Sequence, residues 1–160
     1  MSNLLVEIGN TALKAAWSDG MTLGKTFRYQ GEKWMDFTLS LTRKEKPAVM
    51  VVSSVYVLTE EDQKILSAEC GYLMLLDREH KEPLLSHSLP SYLSYDRAAS
   101  VLAARYLFRG MGCTLVDFGT TLTIDFIDRE GLSKGHSVGP GRFQCGVSYF
   151  HEQIGHSLQI

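Results

Sequence analysis

A six-residue motif occurs twice in the chain, as VEIGNT at Val6–Thr11 and as VDFGTT at Val116–Thr121. Valine, an acid, glycine and threonine recur at the same places, and Leu5 and Leu115 precede the two copies. Downstream, ALKAAWSDG is answered by LTIDFIDREG. Each copy therefore reads as a strand, a glycine-containing turn, a second strand and a polar turn ending in glycine. Self-similarity of this kind restricts the fold to architectures built from two related units.

The segments between the copies alternate in type. Leu4 to Ile8, Ala12 to Ser18 and Leu23 to Tyr29 read as three strands joined by GN and SDG turns. Glu32 to Lys44 places Trp34, Phe37, Leu39 and Leu41 at helical spacing. After Pro47, AVMVVSSV is a continuous apolar run of the kind expected in a strand covered on both faces. Thr59 and the acids behind it open a helix through TEEDQKILSAEC. The strand YLMLLD follows, then a loop through EPLLSHSLPSYLS, and then a helix from Tyr95 to Phe108. Strands alternating with helices predict an α/β layered fold.

Composition limits the classes of function. At 160 residues, with 44% hydrophobic and 21% charged residues, the chain is long enough to bury a core without staples. The balance of 16 basic against 18 acidic side chains gives a net charge of −2 and argues against a nucleic-acid partner. No apolar run reaches transmembrane length and no signal core follows the N-terminus, so no membrane partner is expected and a cytoplasmic location is predicted. Cys70, Cys113 and Cys145 are dispersed and odd in number, which predicts buried thiols rather than disulfides or a zinc knuckle.

The repeated turn carries a definite chemistry. Glycine lets main-chain N–H groups come close to a phosphate, and a neighbouring hydroxyl or amide adds a hydrogen bond. The carboxylate before it, Glu7 or Asp117, suits Mg²⁺, which prefers oxygen ligands and phosphates. Two such turns fit a clamp on one nucleotide; the plainer alternative is that Gly9 and Gly119 only make hairpin turns and the acids are solvated.

With these features the chain resembles the type III pantothenate kinases of the actin-like superfamily. VEIGNT resembles the family's D-x-G-N-T phosphate loop, and His87–Pro90 followed by Ser94–Arg97 resembles its Y-x-x-P and G-x-D-R segments. VDFGTTLTID is similar to D-x-G-T-A-x-T-x-D, and Lys134–Gly141 (KGHSVGPG) is similar to the G-G-x-I-x-P-G loop. Each pattern alone is weak, but four in order and spacing are much more specific. The resemblance implies an actin-like (ribonuclease H-like) duplicated fold, with a complete first half over 1–110 and a truncated second half over 111–160. It also implies ATP-dependent phosphorylation of pantothenate to 4'-phosphopantothenate, the first step of coenzyme A biosynthesis, by a homodimer. In such kinases Asp96 would be the catalytic base, while His87, Ser94, Arg97 and Thr121 would contact pantothenate. Glu7, Gly9, Asn10, Thr11, Lys14, Gly119 and Thr120 would contact ATP, and Glu7 and Asp117 would hold Mg²⁺. A monovalent cation, K⁺ or NH4⁺, would assist. From the residues alone, Asp96 could equally be the cap of its helix, with Arg97 in solvent.

Four motif positions depart from the family. Glu7 stands for aspartate and moves the carboxylate outward by one methylene, and a misplacement of about 1 Å can cost roughly 100-fold. Ser94 replaces a glycine, where a side chain is expected to strain the backbone; His87 replaces a tyrosine. His136 replaces a glycine, and its ring is expected to obstruct close backbone approach. From Cys113 to Ile160 the second copy is less than half as long as the first, and its last stretch, FQCGVSYFHEQIGHSLQI, reads as one helix. Three readings stay open: the kinase, a non-catalytic relative that binds nucleotide or pantothenate or acts as a regulatory accessory, and an interaction module. The departures predict a poor catalyst or none.

Overall fold

The structure, a computed structural model, describes residues 2–20, 22–80, 82, 87 and 89–141. They fall into two compact units, Met1–Ser86 and His87–Ile160.

The first unit is a five-stranded sheet with helices. Strands β1 (Asn3–Ile8), β2 (Leu13–Asp19) and β3 (Thr22–Tyr29) form an antiparallel meander. Helix α1 (Trp34–Thr42), β4 (Val49–Ser54), α2 (Glu60–Ala68) and β5 (Tyr72–Leu76) follow. The strand order is β3-β2-β1-β4-β5, with β4 parallel to both β1 and β5. The apolar run after Pro47 is thus an interior strand, as its composition predicts. Alternation sends Leu4, Val6 and Ile8 of β1 into the same core as Leu13, Ala15, Met50, Val52 and Leu66, while Leu5 and Glu7 take the opposite face. Phe37 of α1 stacks on Tyr29 of β3 with ring centroids 4.7 Å apart, closing that core over the meander.

The helices differ in how they start. A full capping box opens α2: the Thr59 hydroxyl accepts the Asp62 amide at 3.1 Å, and the Asp62 carboxylate accepts the Thr59 amide, also at 3.1 Å. Helix α1 begins at Trp34 rather than at Glu32, because Lys33 is non-helical (φ −90°, ψ 52°) and offers no side-chain cap. The first helical hydrogen bond there is the one from the Phe37 amide to the Lys33 carbonyl.

The second unit packs helix α3 (Tyr95–Leu107) on a three-stranded antiparallel sheet, β6 (Cys113–Phe118), β7 (Thr121–Ile127) and β8 (Ser133–Pro140), in the order β6-β7-β8. Val101 and Ala104 of α3 meet Leu115 and Ile127 of the sheet. The repeat divides the sequence at 110/111; compactness divides it at Ser86/His87, because α3 buries its apolar side on the strands that follow it.

The topology is the actin-like, ribonuclease H-like α/β plan. Among the described residues the first copy is represented by β1 to β5 with α1, α2 and α3, and the second by its three opening strands. The helix expected over FQCGVSYFHEQIGHSLQI, and Cys145 with it, lie outside the described residues. Cys70 is buried and Cys113 half-buried, both as free thiols, and burial foremost raises the Cys70 thiol above its usual range.

The two repeats are not superimposable through their turns. Ile8 pairs with Leu13 across a four-residue connection, Gly9–Ala12, whereas Phe118 pairs with Leu122 across three residues, Gly119–Thr121. The missing residue shifts the second strand by one place, so Lys14 faces Glu7 but Thr123 faces Asp117. A one-residue slip exchanges the faces of a strand, so the two acids have different neighbours.

Candidate functional site

At the first turn the Gly9 amide donates to the Ala12 carbonyl at 3.1 Å. A Cβ on Gly9 would lie 3.2 Å from that same oxygen, so the bend favours glycine on steric grounds. Asn10 and Thr11 form the exposed apex. Register puts Lys14 opposite Glu7, and its ammonium donates to both carboxylate oxygens, at 3.1 and 3.2 Å. Both side chains are about half exposed, so the pair adds little stability, but it places a cation where the resemblance implied a metal.

At the second turn the Gly119 amide donates to the Thr121 carbonyl at 3.0 Å. A Cβ on Gly119 would sit at an ordinary 3.5 Å from that oxygen, and Gly119 is not among the positive-φ glycines. The fold itself does not require glycine there. The end of the KGHSVGPG segment closes onto this turn: the Gly141 amide donates to the Thr120 carbonyl at 3.1 Å. A Cβ on Gly141 would lie only 2.3 Å from the Thr120 oxygen and 2.5 Å from the Gly119 oxygen. Two motifs far apart in sequence therefore form one backbone-to-backbone contact. Asp117 is exposed beside it, and its side chain makes no hydrogen bond or ion pair among the described residues.

The third element is the start of α3. Ser94 is the N-cap residue at φ −69° and ψ 163°, ordinary extended backbone, so serine is unstrained where the family has glycine. Its side chain makes no cap hydrogen bond. Asp96 sits in the first turn, exposed, where the helix dipole favours an anion; it is not the cap residue. Arg97 does not point to solvent. It is buried and forked onto Asp125 of β7, Nε to Oδ2 at 2.9 Å and Nη2 to Oδ1 at 2.5 Å. The hydrogen bonds that Arg97 donates to Asp125, acting against burial, raise its guanidinium above the ordinary range.

His136 lies on β8 directly across from Asp125, and its ring stacks on Tyr92 with centroids 4.7 Å apart. Tyr92 in turn hydrogen-bonds Ser133 at 2.9 Å. The His136 ring is thus packed on an aromatic partner. His87 is exposed, and its carbonyl accepts Arg105 Nη1 at 2.9 Å.

Mg²⁺ fits the second turn better than the first. Asp117 supplies a hard carboxylate with no side-chain partner among the described residues, opposite Thr123 in the sheet, whereas Glu7 already holds Lys14. Among the described residues no group of three or more His, Cys, Asp or Glu could hold a metal by itself.

Sequence reading missed Asp125 and Gly141, although both close motifs that it quoted. The signal was present in each case: an acid inside the apolar run LTIDFI, and a second glycine directly after Pro140.

A buried carboxylate lies elsewhere in the first unit. Asp77, just after β5, accepts on Oδ1 the amides of Glu79 (2.9 Å) and His80 (3.0 Å) and the His80 ring at 2.8 Å. Burial opposes its charge, but the hydrogen bonds from His80 and the two amides prevail and hold its carboxyl below the usual range. A depressed folded pKa contributes stability above the unfolded value of about 3.9 that is lost as pH falls through the folded value. Urea unfolding between pH 6 and 3 is expected to show this acid-side loss in the wild type and a smaller one in Asp77→Asn. Equal pH slopes for the two proteins would remove Asp77 from the explanation.

The fold and the glycine turns together define a member of the actin-like superfamily. More specifically, the family model for type III pantothenate kinase matches residues 3–146, and the chain belongs to that family. It is 27% identical over 154 residues to the type III pantothenate kinase of Azobacteroides pseudotrichonymphae genomovar. CFP2, covering 94% of this chain and 62% of the relative. It is 30% identical over 140 residues to that of Phocaeicola vulgatus, covering 87% and 57%. The chain thus spans under two thirds of the length of these curated relatives. Among solved structures, the ROK hexokinase from Thermus thermophilus matches at a TM-score of 0.49 and 13% identity, over 90% of this chain and 50% of that one. No helix among the described residues is long and apolar enough to cross a membrane.

Proposed function

We propose that the chain binds ATP phosphates at its glycine hairpin turns and directs phosphoryl transfer to pantothenate, as its family membership suggests. The observation that carries the reading is Gly119. Neither backbone angle nor packing demands glycine there, so its small size is best explained by the approach of a ligand to the main chain. The main chain at Gly119, its amide already bonded to the Thr121 carbonyl, would lie against the phosphates, and Asp117 would hold Mg²⁺. Gly9, Asn10, Thr11 and Lys14 would play the matching part at the first turn. Bound Mg²⁺, with a monovalent cation, supplies positive charge to the phosphates.

Asp96 would take the proton from the pantothenate hydroxyl as that oxygen bonds the γ-phosphorus and the bond to ADP breaks. Ser94, His87 and Thr121 would line the pantothenate, and the Arg97 edge left free by Asp125 would face it. The family resemblance also implies a cytoplasmic homodimer.

The Glu7–Lys14 pair favours a second reading, in which the chain binds these ligands without turning them over. Titration calorimetry with Mg-ATP and with pantothenate, alongside a transfer assay, separates the two. Gly119→Ala is expected to leave the melting temperature within a few degrees while weakening Mg-ATP at least tenfold. Unchanged Mg-ATP affinity in a folded Gly119→Ala would remove the turn from the site. Binding of both ligands without transfer would select the second reading.

A further inference from the structure

We propose that Asp125 is a positioning residue: through its buried fork onto Arg97 it fixes the first turn of α3, and with it Asp96, against the strand that leaves the Gly119–Thr120 turn. The proposal rests on the reading of Asp96 as the base.

Three observations converge. First, α3 lacks a side-chain cap: the Ser94 hydroxyl makes no cap hydrogen bond. A Ser, Thr, Asp or Asn cap ordinarily supplies that anchor. Second, the anchor is supplied by Arg97, one residue after Asp96. Its Nε and Nη2 occupy both Asp125 oxygens, with Arg97 8% and Asp125 3% exposed. A bidentate pair fixes orientation as well as distance. Third, Asp125 lies in the central strand of its sheet, paired with Leu115 on one side and His136 on the other. It is therefore the least yielding place in the sheet from which to hold a helix.

Stability alone gives no reason for such a pair. Desolvation offsets most of the attraction between buried charges, and apolar residues of similar volume often do as well. What apolar residues lack is direction. The fork also assigns Arg97 its part: the two nitrogens that would grip a substrate carboxylate bidentately already hold Asp125.

The test compares wild type, Asp125→Asn and the double variant Arg97→Met/Asp125→Leu. The local readout is hydrogen exchange at the Ala98 amide, which donates to the Ser94 carbonyl at 2.8 Å, relative to the Val101 amide in mid-helix. Both variants are expected to raise the Ala98-to-Val101 exchange ratio at least tenfold. The double variant should do so while keeping wild-type global stability. In a transfer assay kcat is expected to fall at least tenfold with KM for Mg-ATP nearly unchanged, and Asp125→Glu is expected to recover part of it.

An unchanged exchange ratio in the folded double variant would overturn the proposal. Failure of both variants to fold would do the same, by assigning the pair a purely structural role. A wild type that transfers no phosphate would instead defeat the reading of Asp96, while the exchange ratio would still decide whether Asp125 positions the helix.

Discussion

Gly141→Ala is expected to destabilise the second unit by about 3 kcal/mol, at the upper end of the range for overpacking, and to abolish nucleotide binding there. The added methyl carbon would lie 2.3 Å from the Thr120 oxygen and 2.5 Å from the Gly119 oxygen. Both are backbone atoms of a tight turn, so neither can swing aside as a flexible side chain would. Either β8 withdraws and the hydrogen bond from the Gly141 amide to Thr120 is lost, or the turn opens. Gly135→Ala, within β8, is the control: nothing lies within 4 Å of its added carbon, and its effect should stay within about 0.5 kcal/mol. Urea unfolding measures the difference. Equal stability of the two variants would mean that Gly141 does not pack on the turn.

Asp96→Asn is expected to lower phosphoryl transfer by roughly 100- to 10,000-fold, the usual contribution of a general base. The fold should hardly respond. Asp96 is exposed, and losing a charge in the first turn costs about 0.3–1 kcal/mol through the helix dipole. The assay is transfer from Mg-ATP to pantothenate, with calorimetry on the same samples. A variant that transfers as fast as wild type would exclude Asp96 as the base. A variant that loses ligand binding along with transfer would make it a binding residue.

Much of the first unit was legible because local and tertiary preferences agree there. The alternation in β1, the apolar run of β4 and the Thr59 cap each specify their element without distant help. The start of α1 was read two residues early, at Glu32, since no capping residue marks it and only the apolar spacing, which begins at Trp34, does. The turn after Phe118 misled for a related reason. Its sequence copies the first turn, but β7 pairs one residue earlier, and pairing register depends on the partner strand rather than on the motif.

The candidate site divides along the same line. Its acids, glycines and hydroxyls were readable, since the chemistry of a phosphate turn depends on residue types held close together in the chain. What each side chain does was not readable. Lys14 neutralises Glu7 because the four-residue turn places it opposite, and Arg97 is buried because α3 settles on β7.

By itself, then, the sequence determined the alternation of strands and helices, the duplication and the residue types at both turns, all of which depend on neighbours a few positions apart. The tertiary structure alone decided that Arg97 faces Asp125 and that Gly141 closes on Thr120. The physical reason is that pairing register and helix docking depend on how whole faces pack, and no local run of residues carries that information.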